Sequence, residues 1–316
     1  SGRGFSTAMS RRLRFAFEAA ALGAFKVLAV VTPRPVFLRL GRALGALVAS
    51  LDRKHRDIAK DNLRRSFPDW SEDRVDGTAR GVWIHFGGVM FDLVRILARG
   101  PAVVDALVTI EGAENATLAH RSPHGVVLIT GHFGNWETHG IIHAKHFGSI
   151  GVVARPLDNP TLDRAMTALR ESAGNEVIEK EHAMIRCMRR LKAALGVAFV
   201  VDQNVQEKEG IFVNFFGRPA CTTPFAAKLA LKTGALVLPC RAVMTPDLRY
   251  RVIYDPPIDP RDFGAGDEAV VALTQAMMNT TEAWIRANPD QWLWMHRRWH
   301  TQPPGSRSTS VGGGGA

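Results

Sequence analysis

The segment His132-Phe133-Gly134-Asn135-Trp136-Glu137 sets an imidazole five residues ahead of a carboxylate, after the apolar run 126–130 and before a stretch of helical pattern. These are the parts of a general base and its orienter. A carboxylate that accepts a hydrogen bond from one imidazole nitrogen fixes the tautomer and leaves the other nitrogen free to take a proton. On one continuous helix a separation of five would turn the side chains to different faces, so the spacing predicts His132 in a turn and Glu137 in the first helical turn. The chain would then fold one toward the other, with Gly131 and Gly134 relaxing the backbone around the histidine. The competing reading is a strand-to-helix turn whose histidine is merely exposed and whose Glu137 favours the helix dipole.

The elements that must position this pair follow from the hydrophobic pattern. Short β-rich runs at 107–111, 126–130, 150–154, 176–179, 197–202, 235–243 and 250–255 alternate with helical patterns at 135–147, 159–173, 182–194, 224–233 and 267–287. This alternation predicts an α/β fold with a mostly parallel sheet flanked by helices. Open parallel sheets keep their chemistry just beyond the carboxyl ends of the strands. Arg155, after the run 150–154, and Asp202-Gln203-Asn204, at the end of 197–202, are expected at the same edge as His132. Each also has a plainer reading: Arg155 as a surface arginine before a proline turn, and Asp202 as a helix cap or turn residue.

A chain of 316 residues with 46% hydrophobic content buries a sizeable core. Its net charge of +10 resides entirely in residues 1–65, where 14 Lys and Arg stand against 4 Asp and Glu. The company of that charge is apolar. The run 19–31, interrupted only by Lys26, follows Phe15, Phe17 and Glu18 and lies between Arg11, Arg12, Arg14 and Arg34, Arg39, Arg42. A second segment, 36–51, sets Phe37, Leu40, Leu44, Leu47, Val48 and Leu51 at helical spacing. Residues 1–55 are therefore expected to form a membrane anchor lying in, or partly inserted into, an anionic leaflet, the first run being about as short as a spanning helix can be. The competing reading is a core helix with a solvated basic face. No cleaved signal peptide is expected. Nucleic acid is disfavoured as a partner, because the charge lies with an apolar segment and not with aromatic stacking positions on a sheet. Residues 56–302 are expected to form the α/β domain and 303–316 a disordered Gly/Ser-rich tail. The three cysteines, Cys187, Cys221 and Cys240, are widely spaced and suggest neither a disulfide framework nor a zinc site.

Five ordered motifs then acquire a family resemblance: Gly131 to Glu137, Ala154-Arg155-Pro156-Leu157-Asp158-Asn159-Pro160, Asp202-Gln203-Asn204, Phe215-Phe216-Gly217-Arg218-Pro219-Ala220, and Gln291 through Trp299. Together, over residues 20 to 300, the chain resembles the bacterial lipid A biosynthesis acyltransferases, the lauroyl/myristoyl family, which are lysophospholipid-acyltransferase-like. The resemblance implies a membrane-associated O-acyltransferase at the cytoplasmic face of the inner membrane. Its donor would be an acyl-carrier-protein or CoA thioester and its acceptor a hydroxyl of a lipid A precursor. The phosphatidylinositol mannoside acyltransferases share these motifs and differ in acceptor.

On that reading His132 deprotonates the acceptor hydroxyl, Glu137 orients His132, and Arg155 either stabilises the oxyanion, as would loop amides of 131–134, or holds an acceptor phosphate. Asn135, Asp202, Gln203, Asn204 and Arg218 fall to substrate binding, with Asp202 orienting Arg155 or the acceptor and Arg218 meeting phosphate or simply serving a turn. No acyl-enzyme, cofactor or metal is expected, since Gly-x-Ser-x-Gly is absent. Two other readings compete: a metal hydrolase built on His139, His143 and His146, and a non-catalytic binder of anionic lipid. Trp292, Trp294 and Trp299 are expected either at headgroup level or in the core.

Overall fold

The computed structural model describes residues 2–305 and opens with four helices, α1 (Gly2–Val31), α2 (Arg34–Leu51), α3 (Arg53–Ser66) and α4 (Glu72–Arg99). Ser71 caps α4 by accepting a hydrogen bond from the Arg74 amide, acidic Glu72 and Asp73 occupy its first turn, and Gly100 ends it at φ 85°. α2 lies against α4 at unusually short range. A Cβ on Gly41 would come within 2.6 Å of the Gly87 carbonyl oxygen, and one on Gly45 within 2.1 Å of that of Trp83. Glycine at these positions lets the two backbones touch. The buried face of α2, Phe37, Leu38, Gly41, Gly45 and Ala49, meets α4, while Leu40, Leu44, Leu47 and Leu51 face outward. Phe37 thus joins the core, apart from the leucines with which its spacing grouped it.

The remainder alternates strand and helix: β1 (Val108–Glu111), α5 (Ala113–His120), β2 (Val126–Thr130), α6 (Trp136–Phe147), β3 (Ile150–Ala154), α7 (Pro160–Glu171), β4 (Glu176–Glu179), α8 (Ala183–Lys192) and β5 (Gly196–Val200). After these come β6 (Ile211–Phe215), β7 (Arg218–Thr222), α9 (Phe225–Thr233), β8 (Leu236–Met244), β9 (Tyr250–Tyr254) and α10 (Gly266–Ala287). Seven strands form one sheet in the order β1-β9-β8-β2-β5-β3-β4, parallel throughout except for the β8–β9 pair. The expected α/β fold with a mostly parallel sheet is what the chain forms. β2 is central and buried at every residue, as a strand covered on both faces must be.

The pattern missed α5 and the separate antiparallel hairpin β6–β7. Arg218 accordingly opens a strand, where a turn ahead of a helix was expected. The carboxy-terminal tryptophans are core residues: Trp292 and Trp294 are buried and stack edge-on to each other, and Trp299 lies against Phe215. Arg298 is buried with them and donates to the Cys221 carbonyl at 2.7 Å and to the Thr222 hydroxyl. Among the described residues one helix, α4, is long and apolar enough to cross a membrane, and about 39% of its most apolar window is buried inside the protein. The amino-terminal run at 19–31 was the stretch expected to come nearest to spanning. Most of the tail expected at 303–316 lies outside the described residues.

Candidate active site at the carboxyl edge of the sheet

The register of the central strands decides which groups meet. Thr130 at the end of β2 pairs with Val200 at the end of β5, so His132 and Asp202, each two residues further on, emerge side by side. β3, on the other flank of β5, delivers Arg155 to the same edge. The edge predicted from the sequence is thus the edge formed.

The carboxylate on His132 is Asp202. His132 Nδ1 lies 2.8 Å from Asp202 Oδ1, and the His132 amide donates to Oδ2 at 2.7 Å. The Trp292 indole N–H donates to the same Oδ2 at 2.7 Å. Asp202 is about 1% exposed and His132 about 21%. Burial pushes the Asp202 carboxyl up, but the imidazole beside it and the three N–H groups it accepts hold it below the usual carboxylate range. For His132, burial pulls the imidazole down, yet the charge and hydrogen bond of Asp202 outweigh it, helped by the more distant charge of Glu137, and its pKa is raised. With Asp202 ionised, Nδ1 carries the proton and Nε2 presents a lone pair outward. The Gln203 amide nitrogen lies 3.2 Å from Nε2, in position to donate to that lone pair. Trp136 closes one side, its ring edge-on to the imidazole at 5.1 Å.

Glu137 does not make the hydrogen bond to His132 that its spacing suggested. It stands in the first turn of α6, as expected, but accepts from Arg170 Nε at 3.0 Å and Nη2 at 2.6 Å, a bidentate pair that ties α6 to α7. The helix carries its side chain away from the turn, so it touches His132 only through its field.

The turn itself is clamped from below. Gly134 has φ +58°, and a Cβ there would sit 1.8 Å from the Ala242 carbonyl oxygen. Its amide donates to Gln291 O at 2.8 Å, and the Asn135 amide donates to Ala242 O at 3.0 Å. The amides of His132 and Gly134, two of the four expected to bind the oxyanion, therefore have internal acceptors, as does that of Asn135. Arg155 remains: it is exposed and, among the described residues, has no hydrogen bond or ion pair.

Two of the expected substrate contacts are structural. Asn135 is about 1% exposed, caps α6 by accepting from the Thr138 amide at 3.1 Å, and donates to the Tyr250 hydroxyl at 3.0 Å. Asn204 exchanges hydrogen bonds with Thr301 and so fastens the carboxy-terminal segment. Arg218 belongs to another cleft, with Arg65, Asn62 and Arg297. There its guanidinium lies 3.6 Å over the Trp299 ring and donates to Ser66, and burial together with Arg65 lowers its pKa to about 10. His139 and His143, the core of the metal reading, are buried among Tyr254, Cys240 and His120; His143 bonds to Tyr254 and His120. Among the described residues no group of three His, Cys, Asp or Glu side chains is arranged to hold a metal ion.

Toward the Asp202 partnership the sequence offered only that His132 and Asp202 each follow a strand-like run; the pairing of β2 with β5 and the equal offset of two residues past each strand end are visible only in the sheet register. The roles of Arg170, Trp292 and Gln203 left no such trace.

A mostly parallel sheet with an imidazole–carboxylate pair at its strand ends is the arrangement of an α/β enzyme. Residues 5–301 match the family model for bacterial lipid A biosynthesis acyltransferases, and the chain belongs to that family. It is 28% identical over 298 residues to the lipid A biosynthesis lauroyltransferase of Escherichia coli (strain K12), covering 88% of this chain and 90% of that protein. It is 29% identical over 195 residues to a phosphatidylinositol mannoside acyltransferase of Mycobacterium tuberculosis (strain CDC 1551 / Oshkosh), covering 60% and 59% of the two. The crystal structure of the 1-acyl-sn-glycerophosphate acyltransferase PlsC from Thermotoga maritima aligns over 81% of this chain and 97% of that one, with a TM-score of 0.38 and 14% identity. The protein is an acyltransferase of lipid A biosynthesis.

Proposed function

We propose that the enzyme moves a fatty acyl chain from an acyl-carrier-protein thioester to a hydroxyl of a lipid A precursor by direct transfer, with His132 as the base and Asp202 as its orienter. The observation that carries this reading is the buried Asp202 carboxylate on Nδ1, which leaves Nε2 open toward the edge. An acceptor hydroxyl replaces the Gln203 amide at Nε2 and gives up its proton as its oxygen attacks the thioester carbonyl. Asp202 stabilises the imidazolium without taking the proton itself. The tetrahedral intermediate collapses with loss of the thiolate, which takes the proton back from Nε2. Arg155, unpaired at the same edge, faces the negative charge that develops on the carbonyl oxygen or an acceptor phosphate. Glu137 contributes through its field and by fixing the start of α6.

A membrane-surface location is supported by the outward Leu40, Leu44, Leu47 and Leu51 of α2 together with Phe17, Val27 and Val31 of α1, an apolar surface beside the basic amino-terminal segment. A lipid A precursor is preferred over a mannoside acceptor because similarity to the lauroyltransferase spans nearly the whole of both chains.

The test incubates purified protein with lauroyl-acyl carrier protein or lauroyl-CoA, and with a lipid A precursor or a phosphatidylinositol mannoside, and follows acyl transfer by mass spectrometry. Transfer to the lipid A precursor that is lost in His132→Ala is expected. Undiminished transfer by His132→Ala overturns the mechanism, and transfer to the mannoside alone overturns the acceptor.

A further inference from the structure

Behind the catalytic turn an unbroken line of buried polar contacts runs to the amino-terminal helices. Arg34, the first residue of α2, donates from Nε to Asp92 Oδ1 at 2.9 Å, from Nη2 to Oδ2 at 2.6 Å and from Nη1 to the Leu248 carbonyl at 2.6 Å. Asp92, on α4 and about 1% exposed, also accepts the Tyr250 hydroxyl at 2.6 Å. That hydroxyl accepts in turn from Asn135, which caps α6 three residues after His132. α4 reaches the same turn a second time, where the His85 ring nitrogen lies 3.4 Å from Gly134 O. Two more arginines of α4 fasten the junction of α1 and α2: Arg95 donates to the carbonyls of Ala29 and Thr32, and Arg99 to that of Val30.

Stability alone does not account for this chain of contacts. A buried ion pair loses so much hydration that an apolar group of similar volume in its place is often neutral or better for folding. What the network does supply is direction. Each member has its hydrogen-bonding groups committed to the next, so a shift of α2 relative to α4 must be felt at Asn135 and hence at the turn that presents His132.

We propose that Arg34, Asp92 and Tyr250 are positioning residues for acyl transfer, linking the seat of the amino-terminal helical pair to the turn that aligns His132 with Asp202. This rests on His132 being the base. The test compares Tyr250→Phe, Arg34→Ala and the double variant, alongside Asn135→Ser, which keeps a capping oxygen but loses the donor to Tyr250. With lauroyl-acyl carrier protein and a lipid A precursor, each single variant is expected to lose at least ten-fold in kcat with KM for the acceptor within about two-fold. The double variant should be no worse than the weaker single, since both break one line.

A second readout needs no substrate. The His132 C2-proton titration, assigned against His132→Gln, should move from above the ordinary histidine value toward it in Tyr250→Phe and Asn135→Ser. Unchanged kcat and unchanged titration in either folded variant, or losses that multiply in the double variant, overturn the proposal. Because the titration reads the turn directly, it decides the matter even if neither substrate proves correct.

Discussion

Replacing Asp202 by asparagine conserves volume and puts an amide where the carboxylate now accepts three N–H groups: the ring Nδ1–H and amide of His132, and the indole of Trp292. Two of these donors converge on Oδ2 and one on Oδ1, so the orientation of the new amide is decided by counting. With its oxygen at the Oδ2 position, the substituted side chain satisfies both the backbone and the indole donor and turns its NH2 toward Nδ1. The imidazole must then accept at Nδ1, and its proton moves to Nε2. The opposite orientation points the NH2 at two donors and leaves both unsatisfied, at a cost of about 1–3 kcal/mol each. The favoured state is therefore folded, with the base nitrogen already protonated.

In serine proteases the corresponding exchange, which also imposes the wrong tautomer, lowers turnover by about 10^4. A loss of about 10^3 to 10^4 in kcat, roughly 4–5 kcal/mol of barrier, is expected here. The acid limb of the kcat/KM profile, placed above the ordinary histidine value by the Asp202 charge, should also fall once that charge is gone. Steady-state transfer from lauroyl-acyl carrier protein across pH 5.5 to about 9, with thermal unfolding as a folding control, measures both. Glu137→Gln is the contrast. It breaks a bidentate pair with Arg170 and weakens a distant field but leaves the tautomer alone, so a loss of only about ten-fold is expected. If Asp202→Asn retains kcat within about three-fold, or if Glu137→Gln is the more damaging of the two, the assignment of the orienting carboxylate is refuted.

Other perturbations follow from the same geometry. Arg155→Ala should lower transfer by about 10^2 with the His132 titration unchanged; a fall in kcat identifies oxyanion stabilisation, a rise in acceptor KM identifies phosphate binding, and no change in either removes Arg155 from the site. Gly134→Ala places a methyl carbon 1.8 Å from the Ala242 carbonyl oxygen at φ +58°, so the turn must open, and loss of transfer with a clear drop in melting temperature is expected. His85 and His139 are held neutral by burial, with pKa lowered to about 4 in each. Because their native pKa lies below the unfolded value of about 6.5, the stability they contribute is complete above pH 6.5 and lost as pH falls toward 4, at up to about 1.4 kcal/mol per pH unit each. The raised His132 has the opposite sign, contributing below pH 6.5 and ceasing to do so as pH rises through its native value. Urea midpoints at pH 7.5, 6 and 5 should therefore decline steeply toward acid, and a flat series would contradict the burial of these two rings.

How much could be read without coordinates differs from element to element. The runs 126–130, 150–154 and 176–179 coincide with β2, β3 and β4: β2, buried at every residue, carries a continuous apolar signal, whereas β4, at the edge of the sheet, shows only Val177 and Ile178 between two glutamates. The hairpin β6–β7 escaped, since Arg218-Pro219 reads as a turn and its pairing is visible only in the register Phe215↔Arg218. Helical spacing marked α2 as amphipathic, yet both its faces are apolar. Which face meets α4 was set by Gly41 and Gly45, whose missing side chains permit the close approach.

The sequence by itself determined that His132 follows a buried strand, that Glu137 opens a helix, that Arg155 and Asp202 follow other strands, and that the positive charge collects at the amino end. These are local properties, written in periodicity and composition. The tertiary structure alone decided which carboxylate serves the imidazole. Parallel pairing of β2 with β5 brings His132 and Asp202 level across 70 residues of chain, while the turn of α6 directs Glu137, only five residues away, to Arg170. Proximity along the chain is limited by the geometry of one helix, whereas proximity in space is set by the order and register of strands.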